Sequence, residues 1–514
     1  MTALWNYENA AHLLRRAGFG GTPTEIQDFL GRFTSVDAAV DNLLSFKPSK
    51  VKPPSPKNND DAGLLKQQAW WLSRIVNANP QSEACQEKLV LFWHGHLVSG
   101  AGKQPTLAYM ATQNGLFRFH ARGNFMTLVR EFNRDPANLY YLDGITNAAS
   151  DDGMHVNANE NFGRELMELF IFGRFQFGPD GAPDPTKPNY SESDVHQLSR
   201  ALTGWTSISQ GVGVWNQGDW DGGQYDDDGD DLPDNVVIFG QQNNNFRIDN
   251  AVAGSNDDVL KFLFGRTDWE GKNQVGVFLS RKLWTWYAYP PPVAGFKTLI
   301  NGFADVLAAN NFELTPLLRA MWTHDEFYSP RAKSRTVRNP VDYVAQSMRA
   351  FDTKSNGKFY GTSDRQLGEQ LALMNMRLFD PPSVGGWPGG LGWMNVGTLL
   401  ARLEFAKDIA ADGDAPSIDL AKVKGLLGSA TADPGATVDR VLAQLGLNAS
   451  TVGTIPPSRP VPLTTAQRDV LVSYATNNGA KPSLNLKTAT TPDAKLKARG
   501  LIALALQAAE NQVF

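Results

Sequence analysis

Signals that begin an α-helix recur along this chain, and they constrain its fold more than any other feature of the sequence. In GTPTEIQDFLGRF, Thr22 is placed as an N-cap, Pro23 as the first helical residue and Glu25 as the third, which is a capping box. Ser191 and Asp194 repeat this pattern in YSESDVHQLSRALTGW. Because a capping box satisfies backbone donors at a helix start, the sequence predicts a mainly α fold.

Apolar residues at helical spacing extend this prediction along the chain. They mark the amphipathic segments Ala62–Asn77, Gln86–Trp93, Val275–Tyr287, Leu314–Trp322, Pro340–Phe351 and Ala494–Ala509. Alternating runs typical of strands are few and short. The chain has 514 residues, 42% of them hydrophobic, with 13 Trp and 28 Phe, so it can bury a large core and is not globally disordered. We expect a large multi-helix domain.

Three stretches without this periodicity indicate how the chain is divided. Residues 47–60 are rich in Pro and Lys and are expected to form an exposed connector. Residues 207–256 are rich in Asp, Gly and Asn and predict a long loop insertion. Residues 447–464 form a Pro-rich linker before two C-terminal helices. We expect a main helical domain over residues 1–406 and a C-terminal helical extension over residues 407–514 that packs on it.

Charge and cysteine content exclude several classes of function. The formal net charge is only −5, and eight aspartates lie between Asp219 and Asp234 without a basic residue among them. No basic patch stands out, so nucleic acid is not an expected partner. Cys85 is the only cysteine, which excludes intramolecular disulfides and thiolate zinc clusters. Its thiol is most simply packed in the core.

Segments that would direct the chain to or through a membrane are not visible in the sequence. The stretch MTALWNYENAAHLLRRAGFG lacks the uninterrupted apolar core of an export signal. No apolar run reaches the ~18 residues of a transmembrane helix. We therefore expect no membrane span, and a chain that is either cytoplasmic or a mature form that has lost its leader.

The stretch NENFGRELMELF concentrates polar side chains on one side of a predicted helix. At ~100° per residue, one arc carries Glu160, Asn161, Arg164, Glu165 and Glu168. The opposite arc carries Phe162, Leu166, Leu169 and Phe170. Two interpretations remain open: a solvated face on which Arg164 pairs with Glu160 and Glu168, or the lining of a buried site.

In the second interpretation this helix supplies catalytic carboxylates. Glu165 and Glu168, one turn apart, serve as acid and base or as metal ligands, while Arg164 and Asn161 bind substrate. Residues 171–172 are apolar and project into the polar arc, which favours burial. The preceding GMHVNANEN adds neutral polar groups beside the helix start. Burying such charges without partners costs several kcal/mol each, so a chain that buries them must organise them.

Two histidines in FWHGHLVSG are candidate proton carriers. On a helix, His94 and His96 would point ~200° apart, whereas in an extended segment they would share a side and could bind one metal. Gly95 and the following LVSGAG suggest that the helix ends here, which leaves the extended arrangement open. The alternative is that one histidine bonds a helix carbonyl and the other packs against Trp93.

Arg200 and two tryptophans are candidate substrate-binding residues. DVHQLSRALTGW puts Arg200 on one stripe with His196 and Thr203, where its guanidinium could bind a carboxylate or sulfate bidentately. Trp205 follows this helix and could stack on a sugar ring or fill the core. DPPSVGGWPGGLGW displays Trp387 on a Gly/Pro loop, either as a structural clasp or as a ring-stacking platform.

The acidic stretch DDDGDDLPD is a candidate calcium site, because it resembles the calcium loops of dockerin-like and thrombospondin-type repeats. The ligands would be Asp226, Asp228, Asp230 and Asp234. Ca²⁺ takes 6–8 oxygen ligands, and this spacing wraps carboxylates around one point. Asp231 and Val237 depart from the pattern, since a Gly and an acid are usual there. The alternative is a solvated acidic loop, in which uncompensated aspartates repel one another.

Several blocks occur together and in a fixed order along the chain. They are AAHLLRRAGFGGTPTEI, LVLFWHGHLVSG, NRDPANLYYLDG, NENFGRELMELFIFG, DVHQLSRALTGWT, FLSRKLWTWY and FDPPSVGGWPGGLGW. Together they resemble the bacterial family known as domain of unknown function 1800, from Ala10 to about Ala406. The resemblance implies a mainly helical fold, frequent export and genes beside those of a sulfatase-like family. It implies no reaction.

No familiar catalytic motif indicates which reaction the chain catalyses. The sequence has no P-loop, dinucleotide loop, G-x-S-x-G, H-E-x-x-H or kinase set, which disfavours nucleotide-driven chemistry. We expect a periplasmic or secreted enzyme of hydrolase type that cleaves a polymeric, glycan-type substrate. Its catalytic residues would be Glu165, Glu168, His94 and His96, and its binding residues Arg164, Arg200, Trp205, Trp387 and Asn161. The alternative is a non-catalytic, calcium-stabilised binding or assembly protein that partners a sulfatase-like protein.

Overall fold

The computed structural model describes residues 3–56, 58–149, 156–209, 211–216, 220–221, 235–240, 245–248, 256–334, 336–351, 353, 367–411, 417–420, 423, 433–459, 461–476 and 492–514. The four predicted calcium ligands, Asp226, Asp228, Asp230 and Asp234, lie outside these residues, as does His155.

Helices dominate the described residues, which confirms the predicted mainly α class. The first are α1 Tyr7–Ala17, α2 Pro23–Arg32, α3 Val36–Leu43, α4 Asp61–Asn77, α5 Glu83–His96, α6 Leu107–His120, α7 Phe125–Asn133 and α8 Pro136–Tyr141. Next come α9 Glu160–Glu165, α10 Glu192–Ala201, α11 Asn256–Phe264, α12 Gln274–Tyr287, α13 Phe296–Ala309, α14 Leu314–Thr323, α15 Pro330–Ser334 and α16 Pro340–Ala350. The last are α17 Leu367–Leu373, α18 Val396–Ala410, α19 Pro434–Leu445, α20 Thr465–Thr476 and α21 Pro492–Gln507.

Local sequence signals set the starts of these helices. Thr22 and Glu25 form the predicted capping box of α2, and Ser191 and Asp194 that of α10. Each box pairs an N-cap side chain with the backbone three residues on and returns a carboxylate to the N-cap N–H. The six amphipathic segments predicted from apolar spacing all correspond to helices, with ends shifted by a few residues.

Strands are short and occur as antiparallel two-stranded ribbons. They are β1 Ala148–Ala149 with β2 Val156–Asn157, β3 Phe175–Phe177 with β4 Pro183–Pro188, β5 Ser207–Ser209 with β6 Val212–Val214, and β7 Val236–Ile238 with β8 Phe246–Ile248. In β5 and β6 the central pair is Ile208 opposite Gly213. The described parts of the predicted loop insertion therefore contain two ribbons, and Trp220 from this insertion is buried.

The C-terminal residues pack into the rest of the molecule. Helix α21 lies against α18, and α19 lies against α20. Near the end of the chain, Arg338 N–H donates to the Gln512 carbonyl at 2.9 Å, and Phe514 N–H donates to the Thr336 carbonyl at 3.1 Å. The division at residue 406 stays a prediction, but this position falls inside α18 rather than between elements.

The interior is apolar, with large aromatic side chains throughout. Trp71, Trp93, Trp284 and Trp322 are fully buried. Cys85 is also fully buried, as expected for a core thiol, and burial raises the pKa of its thiol well above the ordinary range. None of the described helices is long and apolar enough to cross a membrane.

Candidate functional site

The polar stripe that follows Asn159 lies on a helix with an irregular second half. Helix α9 ends at Glu165 and continues directly as a π-helix, Leu166–Ile171. Phe172 N–H donates to the Met167 carbonyl at 2.9 Å, five residues back. A π turn holds an extra residue, so the side chains after it are rotated relative to a regular α-helix.

The polar arc is followed directly by buried apolar residues. Ile171 and Phe172, which project into the arc at α-helical spacing, are buried at 0% and 1% exposure. Leu166 and Phe170 are also buried. The polar arc therefore does not continue into solvent beyond the π-helix.

One part of the polar arc is a half-exposed ion-pair network. Arg164 lies 2.9 Å from Glu160, its expected partner one turn earlier. Its second partner is Glu192 of α10, at 2.7 Å, and not Glu168. His196 of α10 approaches Glu160 at 3.5 Å. Such exposed pairs contribute ~0–1 kcal/mol each, so this network links α9 to α10 without dominating stability.

The other part of the arc holds the predicted catalytic pair. Burial raises the pKa of Glu165, the nearby Glu168 carboxylate raises it further, and Arg164 opposes both effects. The Tyr190 hydroxyl donates to Glu168 Oε2 at 2.5 Å. The structure thus brings Glu165 and Glu168 together in a partly desolvated setting, in which the pKa of Glu165 is raised.

A third carboxylate, Asp380, lies in the same region. Burial raises the pKa of Tyr141, and the charges of Asp380 and Glu165 raise it further, so both carboxylates lie near this phenol. Asn161, a predicted binding residue, donates instead to Asp143 Oδ2 at 3.1 Å. In the part of the chain that the structure describes, no group of three or more His, Cys, Asp and Glu side chains could hold a metal ion.

His94 and His96 both lie within α5, so their imidazoles point to different sides and do not form a shared metal site. Phe379 N–H donates to His94 Nε2 at 3.1 Å. The His94 ring contacts Trp71 and Trp387, with centroids 5.6 and 5.2 Å away. Burial lowers the pKa of His94 to about 3, so this histidine is neutral at ordinary pH.

His96 occupies a different environment. Its Nε2 is 3.0 Å from the Phe170 carbonyl, which fixes the tautomer with the proton on Nε2. Its Nδ1 is therefore an acceptor, and it is buried without a hydrogen-bond partner among the described residues. Burial, with the Lys282 charge nearby, lowers the pKa of His96 to about 3. The ring stacks on Phe92 at 5.5 Å and borders a cavity.

Arg200 lies in the interior near the end of α10, and Trp205 lies just beyond that helix. Arg200 is fully buried, and its Nε donates to Asp221 Oδ2 at 2.5 Å. Asp221 N–H in turn donates to the Thr203 hydroxyl at 2.8 Å. Trp205 is half-buried, and a Cβ added at Gly213 would lie 3.3 Å from its ring. Binding of substrate by either residue stays a prediction.

The loop at residues 380–393 connects the acidic region with the cavity. It begins at Asp380, whose Oδ1 accepts from Gly102 N–H at 3.3 Å. Gly386 has φ +84°, and a Cβ there would lie 2.3 Å from the Gly95 carbonyl oxygen, so only glycine fits. This close approach presses Trp387 against the end of α5. Trp387 therefore packs against the helix and also borders the cavity, so both roles predicted for it stay open.

The cavity has a volume of about 250 Å³ and is bounded by residues that are far apart in sequence. Its lining includes the side chains of His96, Lys282, Trp286, Trp387, Trp393 and Phe514. Of these, Lys282, Trp286 and Phe514 were given no role by the sequence motifs, whereas Trp393 is the second Trp of the Gly/Pro loop. Lys282 and Trp286 are four residues apart on α12 and so share a face, which was a signal in FLSRKLWTWY.

Comparison with known proteins identifies the family but no relative of known activity. Residues 12–513 match the family described as "Protein of unknown function (DUF1800)". The match includes the C-terminal extension, which the sequence blocks did not reach. No curated protein and no solved structure matches the chain.

Proposed function

The chain belongs to the DUF1800 family, whose description names no reaction, and from its site we propose an envelope or extracellular enzyme that cleaves a polymeric, glycan-type substrate. The observation that carries this proposal is the pairing of Glu165 and Glu168 in a half-buried setting, where burial and Glu168 raise the pKa of Glu165. A pair of carboxyl groups, one of them with a raised pKa, is the usual arrangement for breaking a glycosidic bond.

The proposed chemistry assigns the two glutamates different tasks. Glu165, with its raised pKa, donates a proton to the leaving oxygen as the glycosidic C–O bond breaks. Glu168, whose carboxylate accepts a hydrogen bond from the Tyr190 hydroxyl, stabilises positive charge at the sugar carbon or activates the attacking water. The water oxygen bonds to that carbon, and its proton passes to a carboxylate. The half-exposed Arg164 holds anionic groups of the polymer nearby.

The position of the loop at residues 380–393 favours a polymeric substrate, because the loop runs from Asp380, near Glu165, to an aromatic cavity. Trp387 and Trp393 of this loop border the cavity, and Trp286 borders it from α12. Aromatic side chains stack on the apolar faces of rings while polar groups nearby fix orientation. In this proposal the cavity holds one ring of the chain that is cleaved.

We expect Glu165→Gln to remove activity while leaving stability nearly unchanged. General acid catalysis typically contributes 10²–10⁴-fold, and a half-buried group without a strong ion pair contributes ~0.5 kcal/mol or less to folding. Reducing-end release from a panel of polysaccharides, melting curves and the NMR pKa of Glu165 check this result. Glu160→Gln, on the same helix, is the matched control and should keep activity.

Other outcomes for the same helix separate the alternatives. Losses of several kcal/mol in Glu165→Gln, Glu168→Gln and Arg164→Gln together would make the stripe a structural network and reject the catalytic assignment. Small effects on stability combined with an ordinary NMR pKa for Glu165 would reduce the stripe to a solvated face.

A second candidate function is a non-catalytic binding or assembly protein, stabilised by calcium and acting with a sulfatase-like partner. The observation that favours it is the closed environment of two predicted functional residues. His94 accepts a backbone hydrogen bond inside an aromatic cluster, and Arg200 pairs with the buried Asp221. In this case the half-exposed Arg164 network would belong to a protein interface.

Calcium dependence tests that second candidate. If Asp226, Asp228, Asp230 and Asp234 bind Ca²⁺ only in the folded chain, millimolar Ca²⁺ should raise the melting temperature by mass action. Chelator should reverse the rise, and Asp228→Ala should abolish it. A melting curve that is indifferent to both calcium and chelator would remove calcium from the proposal.

A further inference from the structure

We propose that the cavity beside His96 is a subsite for an acidic sugar ring, and that Lys282 binds the carboxylate of that ring. This inference rests on the proposed function, because it names the class of glycan that the enzyme takes. It assigns the ligand by the charge and shape of the cavity, independently of which residues perform the cleavage.

Lys282 brings an uncompensated positive charge to the cavity wall. It is held on α12 among apolar groups, with its Nζ 5.4 Å from the Phe278 ring centroid. No ion pair joins it to a carboxylate within the described residues, and the neighbouring Arg281 places a second cation beside it. Burial and that neighbour lower the pKa of Lys282 to about 8. An anion in the cavity would restore the missing partner.

Further positive charge surrounds Asp342, which also borders the cavity. Lys88 forms a buried ion pair with its carboxylate. Arg16 and Arg338 are also buried and act on the same Asp342 carboxylate. One acidic side chain therefore faces three buried cations. Their hydrogen bonds go largely to backbone carbonyls, such as Arg16 to Ala288 at 2.7 Å, and these carry no neutralising charge.

This excess of positive charge selects for an anionic ligand. Burying a cation without a counter-charge costs several kcal/mol after relaxation, and the cost falls when an anion enters the same low-dielectric region. A neutral sugar would leave Lys282 unpaired, whereas a carboxylate would accept hydrogen bonds from its ammonium group. The electrostatics of the cavity therefore favour an acidic ring over a neutral one.

The remaining walls fit a sugar better than a simple anion. Trp286, Trp387, Trp393 and Phe514 line the cavity with aromatic surface, on which the apolar face of a sugar ring can stack. At about 250 Å³ the cavity suits one ring, since larger ligands occupy sites of roughly 300–1,000 Å³.

Binding to the full-length protein tests this subsite. Calorimetry would compare glucuronate, galacturonate and mannuronate with glucose, galactose and mannose, which lack the carboxylate. Acetate is the anion without a ring, and benzoate is the flat aromatic acid. We expect at least one uronate to bind at least tenfold more tightly than its neutral counterpart, and more tightly than acetate and benzoate.

Variants then assign the preference to Lys282. Lys282→Met should remove the tenfold preference without weakening the binding of neutral sugars, and Lys282→Arg should retain it. Lys261→Met, at an exposed lysine of α11, is the matched control and should bind as the wild type does. If Lys282→Met does not fold, the wild-type comparison and Lys282→Arg still decide the outcome.

Each contrary result has a definite meaning. Equal binding of uronates and neutral sugars, equal binding of acetate, preference for benzoate, or no binding of any probe overturns the acidic-sugar subsite. Cleavage of neutral polymers without a uronate preference rejects the subsite alone. Uronate binding that depends on Lys282, in a protein that cleaves no polymer, rejects the proposed enzyme and leaves the subsite in place.

Discussion

Replacing Glu87 by Gln is expected to lower the free energy of unfolding by about 3–5 kcal/mol. Glu87 is fully buried on α5, and both carboxylate oxygens are saturated by donors. Arg118 donates to each oxygen at 2.8 Å, Arg74 to Oε1 at 3.0 Å and Trp71 to Oε2 at 3.0 Å. Burial alone would raise the pKa of Glu87, but Arg118 and Arg74 outweigh burial and lower it. The substitution would leave Arg118 buried without its counter-charge.

Urea unfolding at neutral pH measures this effect. Glu404→Gln is the matched control, because Glu404 also forms an ion pair, with Lys407 at 2.8 Å. In this pair both side chains are about two-thirds exposed, whereas Glu87 is buried. The control should change the free energy of unfolding by ~1 kcal/mol or less. Equal effects in Glu87→Gln and Glu404→Gln would show that the buried cluster of α4, α5 and α6 contributes no more than a surface pair.

Lowering the pH from 7 to 4 is expected to destabilise the fold through its buried histidines. His94 and His96 have a pKa of about 3 in the folded chain, against ~6.5 when unfolded. Between these values the unfolded state binds more protons, so stability present above pH ~6.5 is lost as the pH falls toward 3. Each histidine contributes a loss of about 3 kcal/mol at pH 4, on an order-of-magnitude basis.

Asp135 is expected to stabilise the fold as the pH falls from 7 to 4, which opposes the effect of the histidines. Burial raises its pKa to about 7 from an ordinary value of 3.8, although Gln113 and two backbone N–H groups lower it. The folded state then binds the extra proton, so this residue contributes about 3 kcal/mol more stability at pH 4 than at pH 7. Asp135→Asn removes this compensation and should steepen the acid loss. Urea unfolding midpoints of the wild type and of Asp135→Asn, measured at pH 7, 5.5 and 4, check this prediction. Equal falls in the two midpoints as the pH is lowered would contradict it.

The sequence predicted the helices because the signals that start them are local. Thr22 and Glu25 are three residues apart, so their capping box needs no information from elsewhere in the chain. The π turn at Leu166–Ile171 could not be predicted in this way. Its extra residue is seen only in the backbone, where Phe172 N–H donates to the Met167 carbonyl five residues back. A helical wheel with a single fixed angle per residue has no place for an extra residue.

The candidate site was predicted only where its members are neighbours in sequence. Glu165 and Glu168 share one helix, and their mutual effect followed from spacing alone. The partner of Arg200 is Asp221, from the predicted loop insertion, and no local rule connects the two residues. Lys282 was part of a recognised block, yet its role depends on a cavity whose other walls come from remote segments.

The residues that line the cavity are far apart in sequence, and this determines when the cavity can form during folding. Phe92 of α5, Val337 and Phe514 all border it, and Val337 pairs with Val513 in a β-bridge. Contacts between segments so far apart form late, after the local helices, because closing long loops costs chain entropy before any contact repays it. A nascent or truncated chain can thus acquire most of its helices without acquiring a binding site. Ligand binding would therefore detect completed folding, whereas helical content would not distinguish it from a partly folded chain.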